Sequence, residues 1–201
     1  MADLVLGHDR CERCLFQRRV YPTGSPGRSL ACLCAAIPVV ATRTRVVIVR
    51  HHLERHRSSN SGRLAHLALP NSTIIEHGGT NGPAVLPALD GAWLVFPEGE
   101  LVESFPEPPR QLVVLDATWS QARRMFRKLQ GLRGLPLLRL PEAPMPAARL
   151  RESPAPDRVS TIEAIARALR LIEGEAVAAP LERLFEVAVL RAAASGRNIA
   201  K

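Results

Sequence analysis

The chain has 201 residues, 46% of them hydrophobic, with a formal charge of +8 and an isoelectric point of about 10.5. That length and apolar content fit one domain of ordinary size with a small appendage, and exclude a disordered chain. No apolar run reaches membrane-spanning length, and the N-terminus MADLVLGHDR is too short and polar for a secretory leader, so a cytoplasmic setting without a membrane partner is expected.

The excess of cations attracts polyanions, and nucleic acid heads the possible partners. Only Lys128 and Lys201 are lysines; the rest are arginines, whose forked guanidinium suits phosphate. A GC-rich genome explains arginine in place of lysine, but not the net excess.

Residues 1–40 differ in character from the rest. They hold all four cysteines, as CERC (Cys11, Cys14) and CLC (Cys32, Cys34), around the turn-rich stretch YPTGSPGRS. Two close pairs separated by a loop can place four thiolates tetrahedrally around Zn2+, a closed structural site without an open position for substrate. Arg13, Arg18 and Arg19 would favour the thiolates. Disulfides fit a cytoplasmic chain poorly, and unrelated free cysteines would not all gather in one segment. The expected division is therefore a zinc-binding segment, 1–40, followed by a catalytic domain, 41–201.

After it, short apolar runs alternate with helical patterns. Strands are predicted at Arg45–Val49, Ser72–Glu76, Ala92–Phe96, Gln111–Leu115 and, more weakly, Leu137–Leu140. The third and fourth are continuous apolar runs, as in strands buried on both faces. Between the first two lies RHHLERHRSSNSGRLAHLAL. His52 and His56 have the spacing of a helical metal pair, but no His-Glu-x-x-His pattern completes a ligand set. Arg50, His51, Arg55, Arg57 and Arg63 read better as an edge that contacts phosphates.

Three helices are predicted. Thr118-x-x-Gln121 forms a capping box, after which Trp119, Ala122, Phe126 and Leu129 share one face and Arg123, Arg124, Arg127 and Lys128 the other. Ser160-x-x-Glu163 opens a second helix that stops at Gly174. Pro180 opens a third that stops at Gly196. Pro141–Arg158, with five prolines, reads as a long surface loop. Strands alternating with helices imply an α/β domain with a mainly parallel sheet, whose ligands bind beyond the C-terminal strand ends. Asp116 lies at such an end, beside a cationic helix. It is a candidate catalytic carboxylate, although a helix cap or turn former would carry the same residue. No Gly-x-Gly-x-x-Gly, Walker or Gly-x-Ser-x-Gly pattern is present.

The segments CERC with CLC, HHLERHRSSNSGRLA, LVFPEGE, LDATWSQARRM and RVSTIEAIA, in that order, resemble the DTW-domain family, the tRNA-uridine aminocarboxypropyltransferases. Asp116-Ala117-Thr118-Trp119 fits the Asp-x-Thr-Trp signature. The resemblance implies a SPOUT-like α/β fold with a knotted C-terminal segment that grips S-adenosylmethionine. It implies transfer of the 3-amino-3-carboxypropyl group to N3 of a tRNA uridine, with methylthioadenosine leaving. Adenosine would lie against Leu94, Phe96 and Pro97, the Leu115 turn, and Ser160 and Thr161, with Thr118 and Trp119 beside the pocket. Asp116 would take the N3 proton or hold the ammonium of the co-substrate. The target base would be turned outward to reach the pocket. Knotted relatives leave monomer and homodimer both open. A SPOUT-like RNA methyltransferase and a non-catalytic zinc-containing RNA-binding module are the alternatives.

Overall fold

A computed structural model of the chain describes residues 10–16, 32–142, 150 and 159–194. Five strands, β1 (Arg45–His51), β2 (Ser72–His77), β3 (Ala92–Leu101), β4 (Gln111–Asp116) and β5 (Leu137–Arg139), form one sheet in the order β2-β1-β4-β3-β5. All neighbouring pairs are parallel. Four α-helices among the described residues cover it: α1 (Ser61–Ala68), α2 (Trp119–Lys128), α3 (Thr161–Glu173) and α4 (Glu175–Ala194). This is the α/β architecture expected from the sequence.

The continuous apolar runs follow from burial on both faces. Val46 to Val49 are all fully buried, yet alternate in direction. Val46, Ile48, Leu112, Val114 and Leu138 pack with α1, α3 and α4. Val47, Val49, Leu94, Phe96 and Val113 pack with Met125 and Leu129 at the inner side of α2. Each such side chain contributes about 1.5–3 kcal/mol by leaving water. Cys14, Phe16 and Leu33 belong to the same apolar layer as α1, α3 and α4, so the cysteine-rich segment is seated on the sheet domain's own core.

Two capping boxes form as expected. The backbone N–H of Thr118 donates to Gln121 Oε1 at 2.9 Å, and that of Ser160 to Glu163 Oε2 at 2.8 Å. Two elements differ from expectation. Helix α4 begins at Glu175, so Pro180 lies inside it. As the sixth residue, Pro180 offers no N–H to the Ala176 carbonyl, one bond the helix forgoes, and the turn before it is held by buried Ala178 and by Glu175 paired with Arg170. Helix α1 was not expected: Asn60 caps it, its side-chain oxygen accepting the Arg63 N–H at 2.6 Å. His52 and His56 do not share a helix, because His52–Glu54 is a single 3-10 turn.

The order of strands places a functional crevice. From β1 the chain leaves toward β2 through α1 on one face; from β4 it leaves toward β5 through α2 on the other. The C-terminal ends of β1 and β4 are therefore a topological switch point, where parallel α/β sheets bind ligands. Arg50 and Asp116 face each other in register there. Of the long loop, 143–149 and 151–158 lie outside the described residues, as do Arg18, Arg19 and Gly196, and with them the path on which a knot depends.

Candidate functional site

Asp116 ends β4 fully buried. Two helix starts converge on its carboxylate. Asn60, the cap of α1, donates through Nδ2 to Oδ2 at 2.6 Å, and Thr161, the first residue of α3, donates its hydroxyl to Oδ1 at 2.7 Å. Asn60 Nδ2 also reaches the Glu54 carbonyl at 3.2 Å, and the Ile162 N–H reaches Ser61 Oγ at 3.4 Å. Burial raises the Asp116 pKa, and the Thr161 and Asn60 bonds oppose that rise. Gly62 sits against the carboxylate: a Cβ there would lie 2.7 Å from Cγ and Oδ2, so only glycine admits the approach. Asn60 and Gly62 were not singled out from sequence. An asparagine followed two residues later by glycine, ahead of Leu64, Ala65 and Ala68, is the signal that marks them.

The other expected pocket residues lie around the same strand ends. Leu94 and Phe96 are buried on the α2 side, and Phe96 stacks on Phe126 with ring centroids 4.4 Å apart. Pro97 is exposed where β3 shifts register against β5, between Val95 and Glu100. Leu115, Thr118 and Trp119 are half-buried at the turn from β4 into α2. Ser160 and Thr161 open α3, and Thr161 is the one of these residues bonded directly to Asp116.

The cations separate into two groups. Arg55, Arg57, Arg123, Arg124, Arg127 and Lys128 are exposed. Arg50 departs from the expected phosphate edge. It is 6% exposed, and its Nε and Nη2 donate to Glu76 Oε1, because even positions of β1 point into the α1/α3 layer. Arg63 is turned inward too: Nε donates to the Arg13 carbonyl and Nη2 to the Glu12 carbonyl, both at 2.7 Å.

Those carbonyls belong to the cysteine turn. The four thiols are free, and their sulfurs lie within 4.8 Å of one another. Cys11 and Cys34 sulfurs are 3.5 Å apart, and those of Cys14 and Cys32 3.7 Å. Four ligands at zinc–sulfur distance of about 2.3 Å would have tetrahedral edges of about 3.8 Å, so the donor set fits a zinc-sized ion. The Cys14 backbone N–H is the main reason the Cys11 pKa is lowered to about 6, while burial raises those of Cys14 and Cys34. Among the described residues this is the only such group of three or more His, Cys, Asp or Glu side chains. No described helix is long and apolar enough to cross a membrane.

Residues 8–193 match a family model described as the DTW domain. Over 186 residues, 86% of its length, the chain is 25% identical to a Drosophila melanogaster protein named tRNA-uridine aminocarboxypropyltransferase 2, 70% of which is covered. No solved structure matches.

Proposed function

Because the chain belongs to the DTW-domain family, we propose that it modifies tRNA by moving the 3-amino-3-carboxypropyl group of S-adenosylmethionine to N3 of a uridine. The observation that carries this reading is the convergence of two helix starts on Asp116 at the switch point of a parallel sheet. The relative's printed name supplies the reaction class.

In this reading a bond forms between N3 and the terminal carbon of the amino acid arm, the carbon–sulfur bond breaks, methylthioadenosine leaves, and the N3 proton is lost. The sulfonium offers three electrophilic carbons, and orientation selects among them. Backbone groups of Leu94 to Pro97, the turn at Leu115, Thr118 and Trp119, and the α3 start at Ser160 and Thr161 would hold the co-substrate. Asp116 remains central, with its role defined by its bonds. Both oxygens are engaged and the group is buried, so it acts by fixing the starts of α1 and α3 at the crevice. Direct proton transfer would first require one of those bonds to open.

Exposed Arg55, Arg57, Arg123, Arg124, Arg127 and Lys128 would contact tRNA phosphates, with Arg50 and Arg63 supporting the site from within. Residues 1–40 would form a zinc-stabilised segment and 41–201 the catalytic domain, with a C-terminal SPOUT-like knot, in a cytoplasmic protein. Incubating the protein with tRNA and S-adenosylmethionine, then weighing the nucleosides, tests the reading. An aminocarboxypropyl-uridine is expected. A methylated base would make it a methyltransferase, and tRNA binding without any product would make it a binding module.

A further inference from the structure

Three histidines gather on the α2 side of the same strand ends, in a cluster the reaction above does not use. His51 ends β1, His77 ends β2 directly opposite it in register, and His52 follows in the 3-10 turn. The His51 ring centroid lies 4.7 Å from that of His52 and 6.2 Å from that of His77. All three are half-buried. The loop after β2 is pressed against His52: a Cβ on Gly78 or on Gly79 would stand 3.0 Å from its ring, and both glycines have positive φ, 87° and 65°. Side chains are excluded there by contact and by backbone conformation alike.

The chemistry of the cluster follows from its tautomers. The Leu53 N–H donates to His51 Nδ1, and the Ala84 N–H donates to His77 Nδ1, each at 3.3 Å. A neutral ring whose Nδ1 accepts a hydrogen bond carries its proton on Nε2. Both rings are therefore Nε2–H donors in the neutral form and unsuited to act as bases through that nitrogen. They are also not a metal set, since only the four cysteines form one among the described residues. Burial first, then the neighbouring rings, lowers the pKa of His51 and His77 below 6.5, which keeps them neutral near pH 7. The charged groups close enough to act on the pair are Glu54, from the turn after β1, and Arg124 for His51, and Lys128 for His77. Arg124 and Lys128 stand one turn apart on α2, and both are exposed.

We propose that His51 and His77, beside His52 and the glycine turn packed on it, form with the nearby cations Arg124 and Lys128 a seat for one phosphodiester group of the bound RNA. Two neutral N–H donors direct the phosphate oxygens, and the two cations supply the charge. Arg123 and Arg127, exposed on the same helix as Arg124 and Lys128, extend the run of cations, so an RNA strand rather than a free anion is its occupant. The seat would anchor the strand beside the crevice that Asp116 organises. This inference rests on the RNA reading above.

Binding of a tRNA transcript, measured by fluorescence anisotropy at pH 7.5 over a range of salt concentrations, separates the contributions. Replacing both rings in His51→Phe/His77→Phe should weaken binding roughly tenfold, with the salt slope unchanged, because a neutral donor releases no counterion. Arg124→Gln/Lys128→Gln should reduce the slope by about 0.9, the value for the one phosphate that the seat neutralises. Long-range nitrogen–proton NMR of the wild type, which needs no variant to fold, should show both rings protonated at Nε2, and those signals should move when RNA is added. Full affinity of the double histidine variant, or Nδ1–H tautomers, overturns the seat while leaving the RNA reading intact. Ring signals that answer to S-adenosylmethionine and not to RNA overturn it in favour of a carboxylate seat. A wild type that binds no tRNA removes the RNA reading, and the seat with it.

Discussion

Asp116→Ala should destabilise the fold well beyond the loss of one side chain. The carboxylate is the acceptor for Thr161 Oγ1 at 2.7 Å and for Asn60 Nδ2 at 2.6 Å, in a site closed to water. A buried polar group stripped of its partner costs about 1–3 kcal/mol. Thr161 loses its acceptor; Asn60 keeps the Glu54 carbonyl at 3.2 Å. Removing a carboxylate that burial disfavours offsets part of the loss of both bonds, so a net destabilisation of about 1–3 kcal/mol is expected. Asp116→Asn should cost about 1 kcal/mol or less, because an amide oxygen can accept from Asn60 while its NH2 donates to the Thr161 hydroxyl. Urea unfolding followed by the fluorescence of Trp93 and Trp119 measures both. The pH dependence adds a sign. Burial lifts the folded pKa of Asp116 above 3.8. Relative to the Asn variant, the wild type should gain stability as pH falls through that raised value, and hold the gain below 3.8. An alanine variant as stable as the wild type, or an asparagine variant as damaged as the alanine one, would refute the two-bond account.

Gly62→Ala should lower stability by about 1–3 kcal/mol through overpacking against the Asp116 carboxylate and abolish transfer, in paired unfolding and nucleoside mass measurements. Cys11→Ser should reduce zinc content and melting temperature together; a wild type without zinc by elemental assay removes the metal from the account. Arg123→Glu with Arg127→Glu should weaken tRNA binding and flatten its salt dependence, and an unchanged slope would place the RNA elsewhere.

The sheet was legible because a strand covered on both faces is apolar at every position, as Val46–Val49 and Leu112–Val114 are. Helices α2 and α3 were legible because their capping boxes are local, spanning four residues each. Helix α1 was not, since it is eight residues long and has a glycine in its first turn. The partners of Asp116 are 45 and 56 residues away in sequence, and no local pattern announces a contact of that kind. The burial of Arg50 depends on its register with Glu76 across β1 and β2, which only the assembled sheet fixes.

Helix α1 touches both ends of the molecule's chemistry. Asn60 at its cap grips Asp116, while Arg63, three residues on, is fastened to the carbonyls of Glu12 and Arg13 between the first two cysteines. An ion drawn into the sulfur cluster would thus tauten the same short helix that frames the crevice. Thermodynamic reciprocity then demands that whatever fills the crevice, and favours that tautened state, also tightens the grip on the ion.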